Sequence, residues 1–234
     1  MKGFIRFAPI LASVIILLCA TTPRHNVKPM YTTDIAITAD QKMVMTNKGT
    51  NDVIVLSADG TVAQRWEFGE APTGVAIAGT TAYVTSSQEE GYISAINLEN
   101  NNITYKTPTG MGACSPIVSA DGSKVYVLNR YKATVSEVDA ASGKVLREAN
   151  VLREPCAAVL TPDGKYLYVN NFLPAQRADV DYVAADVSVI DCTTFQKIKD
   201  IKLSNGSNAL RGIACSADGN YVFVSHNLGR FQVP

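Results

Sequence analysis

The sequence contains few of the residues on which catalytic and metal sites usually depend. Only 2 of its 234 residues are histidines, it has a single tryptophan, and none of its 5 cysteines belongs to a C-x-x-C pair. The absence of C-x-x-C-H excludes a covalent haem site in these residues, and the absence of paired C-x-x-C motifs excludes a zinc ribbon. No G-x-S-x-G segment is present to supply a hydrolase serine. We therefore expect no catalytic residue, metal site or cofactor in this chain.

The sequence also lacks an excess of charge, because 21 Lys and Arg residues balance 21 Asp and Glu residues. Nucleic-acid-binding proteins normally carry a basic surplus, so nucleic acid is not an expected partner. Helical periodicity is missing as well, since Val, Ile and Tyr occur in short alternating runs separated by Gly and Pro. With 47% apolar residues, the composition indicates a packed all-β protein.

The one long apolar run is at the N-terminus and is too short for a membrane helix. It covers residues 7–18 and follows Lys2 and Arg6, whereas a bilayer of roughly 30 Å needs about 20 residues. Residues 1–20 are therefore predicted to be an export signal, with residues 21–30 as a linker. This signal would place the mature protein outside the cytoplasm, in the periplasm or at the cell surface.

Cys19 resembles the lipid-modified cysteine of bacterial lipoproteins, because it directly follows the apolar run. The alternative is an ordinary secretory signal that is cut near Ala20. A lipid on Cys19 would be the only expected contact with a membrane.

A repeated phrase is the strongest pattern in the rest of the chain. It consists of Ser or Thr, any residue, Asp and Gly, followed by a short run such as Val-Tyr-Val. The copies are Ser119-Ala120-Asp121-Gly122, Thr161-Pro162-Asp163-Gly164, Ser216-Ala217-Asp218-Gly219, a decayed Thr38-Ala39-Asp40, and Ala82-Tyr83-Val84 without Asp-Gly. The last valines lie at positions 44, 84, 127, 169 and 224, which gives spacings of 40, 43, 42 and 55 residues.

A period near 40 residues predicts a β-propeller, in which each repeat is a four-stranded antiparallel blade. Asp-Gly supplies the tight turn between two strands of such a blade. We expect an all-β, partial propeller over residues 31–234, with about four and a half blades and an incomplete ring. The predicted repeats are 31–72, 73–113, 114–155, 156–210 and 211–234.

The strand sequences resemble the YVTN repeat of bacterial extracytoplasmic β-propellers. The resemblance rests on Tyr83-Val84-Thr85-Ser86, Tyr126-Val127-Leu128-Asn129 and Tyr168-Val169-Asn170-Asn171. This family is similar in blade design to the propellers of nitrite reductase, the methylamine dehydrogenase heavy chain and lactonases. Because its members commonly have seven blades, the resemblance implies that the chain is the N-terminal part of a longer protein.

The likeness leaves three functions open. The first is a non-catalytic scaffold that binds an unknown protein or small ligand. The second is the propeller portion of a haem peroxidase or quinoprotein-like dehydrogenase, with its haem on a downstream redox domain or a partner. The third is a lactonase-like hydrolase, which would need a carboxylate or metal cluster in the channel.

Inner strands of a propeller line its central channel, and alignment of the repeats places four residues at one level. These are Thr73, Cys114, Cys156 and Arg211. Side chains from successive blades converge at a channel mouth, so these four residues are candidate binding residues. The alternative is that they only fill space on the inner strands. Cys114 and Cys156 hold equivalent positions in neighbouring repeats, so in an oxidising compartment they are also a candidate disulfide.

Two further candidates come from departures from the repeat. His226 stands where other repeats have Asn or Ser, and it is either a ligand facing a redox partner or one polar strand-end residue among several. The fourth repeat carries an insert near residues 173–185, and loops on a rigid scaffold are common recognition sites. Its candidate recognition residues are Arg177, Asp179, Asp181 and Tyr182. The offsets of a helical calcium loop are absent, so no metal is expected there.

Overall fold

A computed structural model describes residues 29–87 and 89–229, and the regular structure in these ranges consists of β-strands. Within them, no helix is long and apolar enough to cross a membrane. The predicted export signal at residues 1–20, including Cys19, lies outside the described residues, as does most of the predicted linker.

The strands form four consecutive four-stranded sheets and two short strand pairs. The first sheet contains β1 (Thr32–Ile37), β2 (Met43–Asn47), β3 (Asp52–Leu56) and β4 (Val62–Glu67). The second contains β5 (Pro72–Ala78), β6 (Thr81–Ser86), β7 (Tyr92–Asn97) and β8 (Ile103–Pro108). The third contains β9 (Ala113–Val118), β10 (Lys124–Asn129), β11 (Thr134–Asp139) and β12 (Val145–Asn150). The fourth contains β13 (Pro155–Leu160), β14 (Tyr166–Asn171), β15 (Asp186–Asp191) and β16 (Gln196–Lys202). After β16, β17 (Ser207–Asn208) pairs with β20 (Asn227–Leu228), and in the fifth unit β18 (Ile213–Cys215) pairs with β19 (Val222–Val224).

The Asp of the repeated phrase closes the turn between the first and second strands of a unit. In the third unit, Ser119 Oγ donates to Asp121 Oδ1 at 2.6 Å and accepts from Lys124 N at 3.0 Å. Gly122 follows with a φ of 71°, a left-handed conformation that glycine adopts at little cost. The same hydroxyl-to-carboxylate bond joins Thr38 to Asp40, Thr161 to Asp163 and Ser216 to Asp218. The phrase found in the sequence thus fixes the turn of the inner hairpin in the first, third, fourth and fifth units.

Acid is expected to weaken the fold through these turns. Hydrogen bonds from Ser119 and Thr161 hold the pKa of Asp121 and of Asp163 at about 2, below the ordinary 3.8. A carboxylate with a lowered folded pKa stabilises the protein above its ordinary pKa, and that contribution is lost as the pH falls toward the folded value. The urea midpoint should therefore fall between about pH 4 and pH 2. The double variant Asp121→Asn/Asp163→Asn should show a shallower fall over that interval, and an equally steep fall would contradict the assignment.

The sheets are arranged like the blades of a fan, with the first strand of each unit on the inside. β1 contacts β5, β5 contacts β9, β9 contacts β13, and β13 contacts β18, whereas the outer fourth strands contact each other little. Buried clusters fill the space between consecutive sheets. Val44 and Val84 share one such cluster, and Leu128 and Leu167 share another. The predicted four-stranded antiparallel blades are confirmed.

The ring is incomplete in the described residues, as the repeat count predicts. The fifth unit supplies β18 and β19 as an inner pair, and no sheet closes onto another. Apolar side chains face outward at both ends of the arc. Ile35 and Ile37 on β1 are 50% and 61% exposed, and Phe223 on β19 is 62% exposed. Equivalent faces inside the arc are covered by a neighbouring blade.

The strand register corrects one detail of the repeat alignment. Ile35 pairs with Met45 at the place where Val75 pairs with Val84 in the next sheet. Met45, and not Val44, is therefore the structural equivalent of Val84. The turn of the first unit is one residue shorter than the turn of the third unit, which shifted the alignment.

Candidate functional site

A row of side chains at the start of the inner strands links each blade to the next. This channel row consists of Thr33, Thr73, Cys114, Cys156 and Arg211. Its bonds are Thr33 Oγ1 to Pro72 O (3.0 Å), Thr73 Oγ1 to Ala113 O (2.6 Å), Cys114 Sγ to Pro155 O (3.9 Å) and Cys156 Sγ to Leu210 O (2.9 Å). Each acceptor lies just before the next member of the row, so the bonds run in one direction around the axis.

The predicted Cys114–Cys156 disulfide is absent from the structure, where both residues are free thiols. Each thiol donates toward the following blade, so the two point the same way around the axis and not toward each other. Burial raises the pKa of Cys114 to about 12 and the pKa of Cys156 to about 11, so both are neutral at pH 7. In this structure Thr73, Cys114 and Cys156 act as donors between blades.

In the third and fourth blades, the asparagine that ends the second strand is buried and bonds to the first residue of the third strand. Asn129 Nδ2 donates to Thr134 Oγ1 at 3.0 Å, and Asn171 Nδ2 donates to Asp186 O at 2.8 Å. His226 occupies the equivalent place in the fifth unit but is exposed, and its ring contacts the carbonyl oxygen of its neighbour Asn227 at 3.3 Å. The suggestion that His226 faces a redox partner therefore stays a prediction.

The residue after each strand-end position is held at the channel mouth by a repeated backbone bond. Arg130 N donates to Gly112 O at 3.1 Å, and Phe172 N donates to Glu154 O at 2.8 Å. Because the third and fourth blades are neighbours, this bond sets Arg130 and Phe172 side by side.

A cavity of about 190 Å³ lies at this mouth, lined by Arg130, Cys156, Phe172, Leu210 and Arg211. The guanidinium carbon of Arg130 lies 4.8 Å from the centre of the Phe172 ring, and that of Arg211 lies 5.3 Å from it. Such distances are within the range of cation–π attraction. We call this group the arginine cavity. It joins two members of the channel row, Cys156 and Arg211, to two residues of the following loops.

The insert of the fourth blade is bound to the chain beyond β16. Tyr182 OH donates to Leu203 O at 2.5 Å, and Asn205 Nδ2 donates to the carbonyl oxygen of Asp181 at 2.9 Å. Arg177 and Asp179 form an exposed ion pair with each other, with Nε and Oδ1 2.9 Å apart. The insert directly follows Phe172, so it is a loop at the same mouth as the arginine cavity, and hydrogen bonds to residues 203 and 205 hold it in place.

A larger groove of about 670 Å³ lies at the opposite face, between the first two sheets. Three of its polar side chains already have partners: Lys42 Nζ lies 2.8 Å from an Asp40 oxygen, and Trp66 Nε1 donates to Asn101 O at 3.2 Å. Across residues 29–87 and 89–229, no three His, Cys, Asp or Glu side chains are grouped closely enough to hold a metal ion. The arginine cavity is accordingly the better candidate site.

No protein-family model and no curated protein matches the chain. Among solved structures, it is similar to Kuenenia stuttgartiensis hydrazine synthase, with a TM-score of 0.78 and 18% identity over 91% of this chain and 60% of that one. It is also similar to a functionally unknown protein from Desulfotomaculum acetoxidans DSM 771, with a TM-score of 0.69 and 17% identity over 83% of this chain and 62% of that one. The fold is a β-propeller. The chain spans about 60% of the length of these neighbours, and at such identities the likeness shows the fold alone.

Three residues of the propeller's cavity, Arg130, Phe172 and Leu210, were not among the predicted site residues. The repeat contained the signal for Arg130 and Phe172, because each directly follows a strand-end asparagine, Asn129 or Asn171. In every complete blade, that position lies at the channel mouth. Of the predicted channel residues, the cavity includes Cys156 and Arg211.

Proposed function

We propose that this propeller is an exported, non-catalytic scaffold of YVTN type that binds a protein or small ligand at its channel mouth. The observation that carries the proposal is the arginine cavity, where Arg130 and Arg211 meet over Phe172. A concave site with converging charged groups on a rigid framework is a common form of binding site. The insert lies beside this cavity with Tyr182 on its surface, so it enlarges the area that a protein partner would contact.

The two enzyme-linked functions have less support. A haem peroxidase or dehydrogenase would carry its haem on a downstream domain or a partner, and His226, which would face that group, contacts its neighbour Asn227. A lactonase-like hydrolase would use a carboxylate cluster in the channel. The carboxylate nearest the arginine cavity is Glu154, and it is already bonded to Arg130. The scaffold role therefore accounts best for the residues at the mouth.

Photo-cross-linking tests which end of the propeller meets a partner. A benzoylphenylalanine in place of Tyr182 would report on the mouth that carries the insert. The same replacement of Tyr166, at the start of β14 and thus at the opposite end of the same blade, is the matched control. Irradiation of cells of the source organism should give a discrete adduct from position 182 and none from position 166. Equal labelling at both positions, or none at 182, would contradict a protein partner at this mouth.

A further inference from the structure

The charges around the arginine cavity do not balance. Arg130 Nε and Nη2 both donate to Glu154 Oε2, at 3.2 and 2.9 Å, so this guanidinium is paired. The Arg211 guanidinium has no carboxylate within 4.0 Å among residues 29–87 and 89–229. The thiol of Cys156 stays protonated, because burial raises its pKa to about 11. Two cations and one carboxylate leave one uncompensated positive charge at the cavity.

The shape of the cavity limits what could neutralise that charge. Its volume of about 190 Å³ lies below the ~300–1,000 Å³ of typical ligand pockets, so it suits a small group. Phe172 gives it one apolar wall, while the guanidinium fork of Arg211 matches the two oxygens of a carboxylate. A dianion such as phosphate would exceed the single free charge and would leave the Phe172 ring without a contact.

We infer that the arginine cavity binds the carboxylate of a small ligand with a short apolar or aromatic stem, with the carboxylate on Arg211 and the stem against Phe172. The inference rests on the proposed function, since it concerns the same channel mouth and names the ligand class. A free organic acid and the terminal carboxylate of a peptide share this chemistry.

Calorimetric titration of the full chain with benzoate tests the inference, with benzamide as a neutral molecule of the same shape. Benzoate should bind at least about tenfold more tightly than benzamide, because a hydrogen bond to a charged group is worth about 1.5–3 kcal/mol. Arg211→Gln should remove that preference without lowering the melting temperature, because Arg211 is exposed. Lys199→Gln on β16, which also removes one exposed positive charge, should change nothing.

Additional titrations distinguish a free acid from a peptide, and they show whether the ligand class or the proposed function is wrong. A peptide that ends in phenylalanine, compared with its C-terminal amide, tests the peptide source, whereas benzoate binding alone indicates a free acid. Equal binding of benzoate and benzamide, tighter binding of inorganic phosphate than of benzoate, or unchanged benzoate affinity in Arg211→Gln would overturn the inference. If cross-links still form at position 182 in that case, only the ligand class is wrong. If they do not form, the proposed function itself fails.

Discussion

Replacing Arg147 by methionine is expected to lower the free energy of unfolding by about 3 kcal/mol, because it removes one of the two cations that pair with a buried carboxylate and leaves Lys124 as the other. Glu137 on β11 is completely buried, and Arg147 Nη2 donates to its Oε1 at 2.8 Å. Burial pushes the pKa of Glu137 up, but hydrogen bonds from Arg147 and Lys124 outweigh it and keep the pKa below its ordinary value. The carboxylate is thus charged at neutral pH. Arg147 also donates to Thr193 O at 2.8 Å, so the same side chain joins the third blade to the fourth.

Urea unfolding at pH 7 measures this loss, and a second ion pair in the same blade provides the control. Lys132 and Glu148 are partly exposed, at 47% and 33%, so Lys132→Met should cost less than about 1 kcal/mol. Adding Glu137→Leu to Arg147→Met should recover part of the stability, because the buried charge is then gone. If Arg147→Met and Lys132→Met cost the same, burial of Glu137 does not govern the effect.

Gly91→Ala is the second substitution with a large expected effect, again about 3 kcal/mol, from overpacking added to backbone strain. Gly91 precedes β7 with a φ of 62°, and its carbonyl oxygen accepts a bond from Thr109 N at 3.0 Å. A Cβ at this position would lie 1.9 Å from Gly110 O and 2.9 Å from Ala113 N. Both are backbone atoms, so the clash is relieved only if the start of the next blade moves.

A second left-handed glycine separates the clash from the backbone strain. Gly164 has a φ of 71°, and a Cβ there would meet no atom within 4 Å. Gly164→Ala should therefore cost only about 1 kcal/mol, the usual penalty for a left-handed alanine. Thermal and urea unfolding of the two variants give the comparison. Equal losses would show that the contact with Gly110 is not tight in solution.

The fold was predictable because its determinants are local. The Asp-Gly turn and the period near 40 residues predict four-stranded antiparallel blades, and the structure has four of them between Thr32 and Lys202. These features depend on residues within a few positions of each other, so a single sequence is enough to indicate them.

The site was predicted only in part, because it depends on contacts between blades. Alignment of the repeats placed Cys156 and Arg211 at one level, but it could not show that Phe172 from a loop lies between Arg211 and Arg130. It also suggested a disulfide from equivalent positions, although the direction of each thiol follows from a carbonyl in the next blade. Side-chain direction across an interface is set by packing, and the spacing of residues along the chain does not contain it.

The channel row has a polarity, since each blade offers a donor on one side and a backbone oxygen on the other. Two copies that met through identical ends would bring donor against donor or oxygen against oxygen. Only a head-to-tail arrangement continues the chain of bonds, and such heterologous contacts close into a ring or extend without limit according to the rotation between units. Twofold pairing through these edges is therefore disfavoured by the bonding itself.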